Sequence, residues 1–329
     1  MVDGVGGLGT DRMNAPHLEA ALRALQGTLD DEGRSKLAGV MSGALASAGH
    51  VPRYQCPENE RIDIREDGYV SLGTILPTAA VRETTAYLRS KPVYLAHVKG
   101  HSPTDQQFPL EEAAKRTRYG CHSLVDVIQA PHLIELANDP RVLRVVEAYF
   151  GCAPSLYSLN AFWTFPGDLP LAEGINNSVF HRDRDDVKFC TLFVFLTDVS
   201  AADGAHHFLR KSHDPQALSA WVRDQVGRNP GAPPPQLDMK NVLDRGNFLA
   251  PLLVRSEGVA GTAVIEDTYG LHSAGQILTP RLLFWARYGY YRNTGHQAAN
   301  FGTARWSDVA GRIPRDPYHA FVNRMILDD

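Results

Sequence analysis

The chain has 329 residues, 43% of them apolar, and a formal net charge of −4, enough apolar material for a sizeable core in one large domain. The charge is too small and too scattered for a nucleic-acid footprint or a polybasic membrane patch, and the longest apolar run, Phe189 to Leu196, is far short of a bilayer span. No basic segment leads an apolar run in the first thirty residues, and Cys56, Cys121, Cys152 and Cys190 show no CxxC spacing; a soluble cytoplasmic protein with reduced thiols is expected.

The first half reads as mostly helical. Pro16 to Leu25 and Arg34 to Ala48 carry apolar residues three and four apart, with Gly49 as a stop, and a third helix runs from Thr78 to Tyr87 or Leu88 before Pro92. At Asp139-Pro140 an aspartate stands where first-turn amides need an acceptor and a proline fits the first helical position; Gly151 then closes the segment. After Pro154 the period drops to two. The expected strands are Leu156 to Phe165, Val179 to Asp183, Phe189 to Val199, His206 to Arg210, Leu252 to Ser256, Thr262 to Glu266, Gly270 to Ala274 and Leu282 to Tyr290. Such a series suggests a two-sheet antiparallel barrel or sandwich of jelly-roll type. Residues 214–247, with a helical stretch and the run "NPGAPPPQ", interrupt it as an insertion of the kind that often serves as a lid.

The chemistry concentrates at "FHRDRDD". On a strand, His181 and Asp183 project from the same face and can grip one metal ion. In a chain with 13 histidines, however, such a pair arises about once by chance, so alone it reads equally as a surface histidine beside acidic residues. His272, in "GTAVIEDTYGLHSAG", offers a third ligand, and "RLLFWARYGYY" puts Arg281, Leu283, Trp285 and Arg287 on one face. Two histidines and a carboxylate on one face of an octahedron form the facial triad of non-haem Fe(II) oxygenases, which leaves positions for a chelating co-substrate and oxygen. An arginine can hold the far carboxylate of a dicarboxylate chelator bidentately.

In "FHRDRDD", "LTDVSAADGAHHFLRKSH" and "GLHSAGQILTPRLL", the chain resembles the phytanoyl-CoA dioxygenase-like family of Fe(II)/2-oxoglutarate-dependent oxygenases, over roughly Tyr69 to Tyr291. The resemblance implies a mainly β fold, a double-stranded β-helix core with helices packed outside. One oxygenase domain is expected: a mostly helical part over 1–150, the β core over 151–295, and an extension over 296–329. It implies His181, Asp183 and His272 as iron ligands and Arg281 as the partner of the 2-oxoglutarate C5 carboxylate. Arg287, six residues on and facing the same way, is the alternative. An intact Asp183 argues against halogenation, since related halogenases have a small residue there. The family's usual turn departs here, with Ala205 and Lys211 where proline and glycine are common.

Asn160 lies where relatives place an amide that binds 2-oxoglutarate, and reads equally as an ordinary polar strand residue. Thr191 is a second candidate contact to that cofactor, and reads equally as a core residue packed through its methyl. Tyr157 and Trp163 either line the pocket or belong to the core. His206, His207 and His213 read as solvated, and Arg182, Arg184, Asp185 and Asp186 as charges at a hydrated metal mouth that pair with one another rather than contact a polar substrate. The expected function is oxidation of a C–H bond, by hydroxylation or oxidative cyclisation, in a small polar molecule such as a sugar or aminocyclitol secondary metabolite. Iron, 2-oxoglutarate and molecular oxygen take part. A metal-binding barrel of cupin type that does no oxidation is the alternative.

Overall fold

A computed structural model of the chain describes residues 29, 31–49, 64–96, 106–167, 169, 179–183, 185–214, 250–290 and 304–329. Its helices are α1 (Asp31–Ser47), α2 (Thr78–Arg89), α3 (Leu110–Ala113), α4 (Leu124–Gln129), α5 (Leu133–Ala137), α6 (Pro140–Phe150) and α7 (Pro317–Asn323). Its strands are β1 (Tyr69–Thr74), β2 (Val93–Ala96), β3 (Gln107–Phe108), β4 (Tyr119–Cys121), β5 (Ser155–Thr164), β6 (Cys190–Phe195), β7 (His206–Leu209), β8 (Leu253–Ser256), β9 (Thr262–Glu266), β10 (His272–Ala274), β11 (Arg281–Gly289), β12 (Ala304–Arg305) and β13 (Leu327–Asp328). The larger sheet runs β1-β9-β6-β11-β5-β4-β2-β3, and a smaller one runs β10-β7-β8; every pairing in both is antiparallel.

The period of two sorts the strand side chains into two cores. One face of the larger sheet, with Leu159, Trp163, Leu192, Ile265 and Phe284, packs on the helices through Leu88, Ile128, Leu143 and Val146. The opposite face carries Phe162, Phe193, Phe195, Val264 and Leu283 in a second apolar cluster. This inner face looks toward the smaller sheet: the Phe193 ring lies 5.0 Å from that of His206, and the Tyr69 ring lies 6.0 Å from that of Phe208. Cross-strand register makes two rows on it. One is Tyr69–Glu266–Thr191–Arg287, and the next is Val264–Phe193–Trp285–Asn160.

Most expected elements appear with their ends moved by one to four residues. The helix cap forms as expected: Asp139 accepts the Arg141 amide at 2.8 Å, and Gly151 takes the left-handed conformation at φ 73°. Val179 to Asp183 is a correction. It forms no strand: Val179 and His181 are isolated bridge residues, His181 pairing with His272. The first half is also less helical than expected: β1 to β4 come from it and extend the larger sheet on both flanks. Strands of two to six residues are too short to show a period. Pro16 to Leu25, Cys56, Arg184 and nearly all of the insertion lie outside the described residues. No helix among the described residues is long and apolar enough to cross a membrane.

Phe284 sits fully buried on β11, the strand between β5 and β6. Phe284→Ala should cost about 3–5 kcal/mol and Asp139→Ala about 1 kcal/mol in guanidinium unfolding; equal midpoints for the two variants would contradict this packing.

Candidate metal centre

His181, Asp183 and His272 come together: each offers a ligand atom, and these atoms all lie within 4.8 Å of one another. Two backbone hydrogen bonds hold the arrangement, from His181 N to His272 O at 2.9 Å and from His272 N to His181 O at 3.0 Å. A third, from Asp183 N to Thr268 O at 2.9 Å, ties the carboxylate to the loop preceding β10. Each ring is also oriented. His181 Nδ1 donates to Val179 O at 2.9 Å, and His272 Nδ1 donates to Gly270 O at 3.0 Å. With Nδ1 carrying the proton, Nε2 is left with its lone pair, the tautomer a metal needs. Burial pushes His272 down to about 3, so its imidazole is neutral at physiological pH. Two imidazoles and one carboxylate, with no thiolate, are a donor set suited to iron(II).

The charges behind His181 prove structural. Asp185 and Asp186 are buried, not hydrated. Arg287 forms an ion pair with Asp185 and donates to Asp183 Oδ2 at 3.0 Å, while Tyr157 donates to Asp185 at 3.0 Å. Asp186 accepts the amides of Val187 at 2.5 Å and Tyr290 at 2.6 Å. Arg182 donates to Ser212 O at 3.1 Å and covers the Tyr269 ring. These partners of Arg182, Asp185 and Asp186 lie outside the cluster, while Arg184 lies outside the described residues. Asp185 and Asp186 anchor the segment to β11 and the chain just after it. Tyr157 belongs to this anchor, and Trp163 to the helix-facing core.

The same contacts separate the two arginines. Arg287 is committed to Asp183 and Asp185, which together hold it well above the usual guanidinium range against the cost of burial. Arg281 is equally buried but has no carboxylate partner among the described residues. It donates to Gly204 O, reaches Thr164 Oγ1 at 3.5 Å, and leaves Nε unsatisfied; burial pushes it down to about 10. Between them on the inner face, Asn160 Oδ1 and Trp285 Nε1 are buried without partners. Asn160 Nδ2 lies 3.9 Å from Cys121 Sγ, whose thiol burial pushes up to about 12. Thr191 is fully buried, its Oγ1 3.4 Å from that of Thr268.

His206, expected in solvent, instead stacks on His272 with ring centroids 5.3 Å apart. Its Nε2 is 2.7 Å from Glu266 Oε2. The alternation of "HHFL" placed His206 on the same face as Phe208, but nothing in the sequence marked Glu266 as facing inward beside it.

Removing the Arg287 guanidinium would leave the buried Asp185 uncompensated and Asp183 unsupported. Arg287→Met should weaken Fe(II) or Ni(II) binding by about 10–100-fold in competition with a chromophoric chelator; unchanged affinity would show that Asp183 is held by other means. A pH effect follows from His272 and from His122, which burial pushes down to about 4. Unfolded histidines bind protons below about 6.5, so between there and about pH 4 the unfolded chain holds protons that the metal-free fold rejects. Stability should fall on acidification through that window by up to about 1.4 kcal/mol per pH unit for each histidine. A flat Tm between pH 6.5 and 4.5 would contradict their burial.

No family model matches the chain, and no curated protein matches it. Among solved structures, the non-haem α-ketoglutarate-dependent epimerase SnoN from nogalamycin biosynthesis is 20% identical, covering 73% of this chain and 86% of its own, with a TM-score of 0.46. HygX from Streptomyces hygroscopicus, solved with nickel and 2-oxoglutarate bound, is 17% identical, covering 73% and 93%, with a TM-score of 0.43. EctD from S. alaskensis, with 2-oxoglutarate and 5-hydroxyectoine, is 15% identical, covering 85% and 90%, with a TM-score of 0.46. With overlaps this loose, the metal centre rests on its own geometry.

Proposed function

We propose that the protein is an Fe(II)- and 2-oxoglutarate-dependent oxygenase whose barrel is a double-stranded β-helix. The observation that carries this reading is the convergence of His181, Asp183 and His272 within 4.8 Å, on a face that also bears a buried arginine lacking a carboxylate. Iron with 2-oxoglutarate supplies the oxidising power, drawn from dioxygen as the keto acid is converted to succinate and CO₂.

The chain's own residues set the conditions. The Nε2 atoms of His181 and His272 and a carboxylate oxygen of Asp183 hold the metal, each pre-oriented by the backbone or by Arg287. Arg281 receives the distal carboxylate of the co-substrate; a buried cation without an anion is a strong electrostatic demand for one. On the inner face, Asn160 Oδ1 and Trp285 Nε1 are the orphan polar atoms nearest to it in register, and Thr191 stands one row nearer the triad. Phe162, Phe193 and Leu283 exclude water from the same space. The substrate is a small polar molecule, such as a sugar or aminocyclitol natural product, oxidised at a C–H bond by hydroxylation or ring closure.

Anaerobic addition of 2-oxoglutarate to the Fe(II)-loaded protein should give a visible charge-transfer band, and aerobic turnover should yield succinate. His181→Ala and Asp183→Ala should abolish both. Arg281→Met should weaken 2-oxoglutarate binding by 10-fold or more while sparing metal affinity. A protein that binds iron but shows neither band nor succinate is instead a non-oxidative metal-binding barrel.

A further inference from the structure

Glu266 has 0% exposure, and among the described residues neither of its carboxyl oxygens makes a hydrogen bond. His206 Nε2 is close at 2.7 Å, yet off the line a ring N–H needs, so the contact is an approach rather than a satisfied bond. Register fixes where the pair points. Glu266 lies opposite Thr191, and Thr191 opposite Arg287, whose guanidinium reaches Asp183. His206 lies between the rings of Phe193 and His272. Glu266 and His206 therefore face the interior beside the candidate metal centre.

A buried carboxyl group that makes no hydrogen bond and meets only one imidazole edge is expensive, and native structures keep such groups where something else supplies the partner. Nothing in the packing requires it here: the neighbouring inward positions on the same strands, Val264 and Phe193, are apolar. A leucine–phenylalanine pair would fill the space at lower cost.

We infer that Glu266 and His206 form the substrate-recognition site of the barrel, taking a hydrogen-bond-donating group, hydroxyl or amine, of a polyhydroxylated or aminated substrate. This rests on the reading of the triad as an iron centre with its co-substrate. Glu266 accepts from the donor group, and His206, steadied by its stack on His272, presents its ring to the adjoining part of the same molecule. Discrimination is steep at such a site, because an analogue lacking the donor leaves a buried acceptor unmatched.

The test uses protein loaded with Ni(II) and 2-oxoglutarate, which cannot turn over, and calorimetric titration with glucosamine, 2-deoxystreptamine and myo-inositol, with cyclohexanol as the donor-poor control. At least one of the three donor-rich probes should bind, cyclohexanol should not, and Glu266→Gln and His206→Leu should each weaken the binding 10-fold or more. Ni(II) and 2-oxoglutarate affinities of both variants should stay within about threefold of the parent. Glu266→Gln should melt no lower than the parent, since it removes an unmatched charge-bearing group rather than a structural tie. The inference is overturned if none of the donor-rich probes binds, if the variants bind them as well as the parent, or if Glu266→Gln lowers Tm and 2-oxoglutarate affinity together. Failure of the iron reading shows separately, as loss of the Fe(II)–2-oxoglutarate band in the parent without any probe.

Discussion

Two reciprocal hydrogen bonds between the backbones of His181 and His272 hold the rest of the site in place. The segment carrying the first histidine and the aspartate belongs to no strand, so its position is not inherited from a sheet. It is borrowed from β10 through one bridge, then reinforced from below by Asp185 and Asp186. That explains why buried carboxylates follow the HxD pair so closely. A strand of normal length would have held the segment with backbone bonds alone, and side chains here replace them.

Arg287 links this anchorage to the candidate metal centre. One guanidinium serves two carboxylates, one structural and one a candidate ligand, so the geometry of Asp183 is tied to the register of β11. The strand divides its two inward arginines by role: the one beside the triad is internally neutralised, and the one at the opposite end is not. Charge balance between the two sheets, rather than distance along the chain, distinguishes them. Between them the interior is neither fully apolar nor fully satisfied. Among the described residues, Asn160, Trp285 and Glu266 each bury a polar atom that makes no hydrogen bond.

Much of this was legible before the structure. The period-two run after Pro154 announced the strands, and the alternation of "RLLFWARYG" placed Arg281 and Arg287 on the inward face where both are found. His181, Asp183 and His272 were found by residue type and order, and the fold brings them together. Pairing partners were not legible. Whether Asp185 meets Arg184 or Arg287, 102 positions away, depends on register between distant segments, which a single sequence does not encode locally. The same limit hid Glu266, which reads as the polar end of a buried strand until β6 is laid beside it. It also made His206 and His207 look solvated, although the first meets Glu266 and His272 and the second is buried. The short strands β2 to β4 escaped because two to four residues carry no measurable alternation.

Cys121 lies on the inner side of the barrel, against the Asn160 amide and within the apolar cluster that lines the same space. A thiol oxidises readily only as the thiolate. Burial keeps Cys121 protonated across the physiological range, so this part of the wall carries a sulfur that has been made inert. The dryness of the apolar cluster thereby protects the sulfur it encloses.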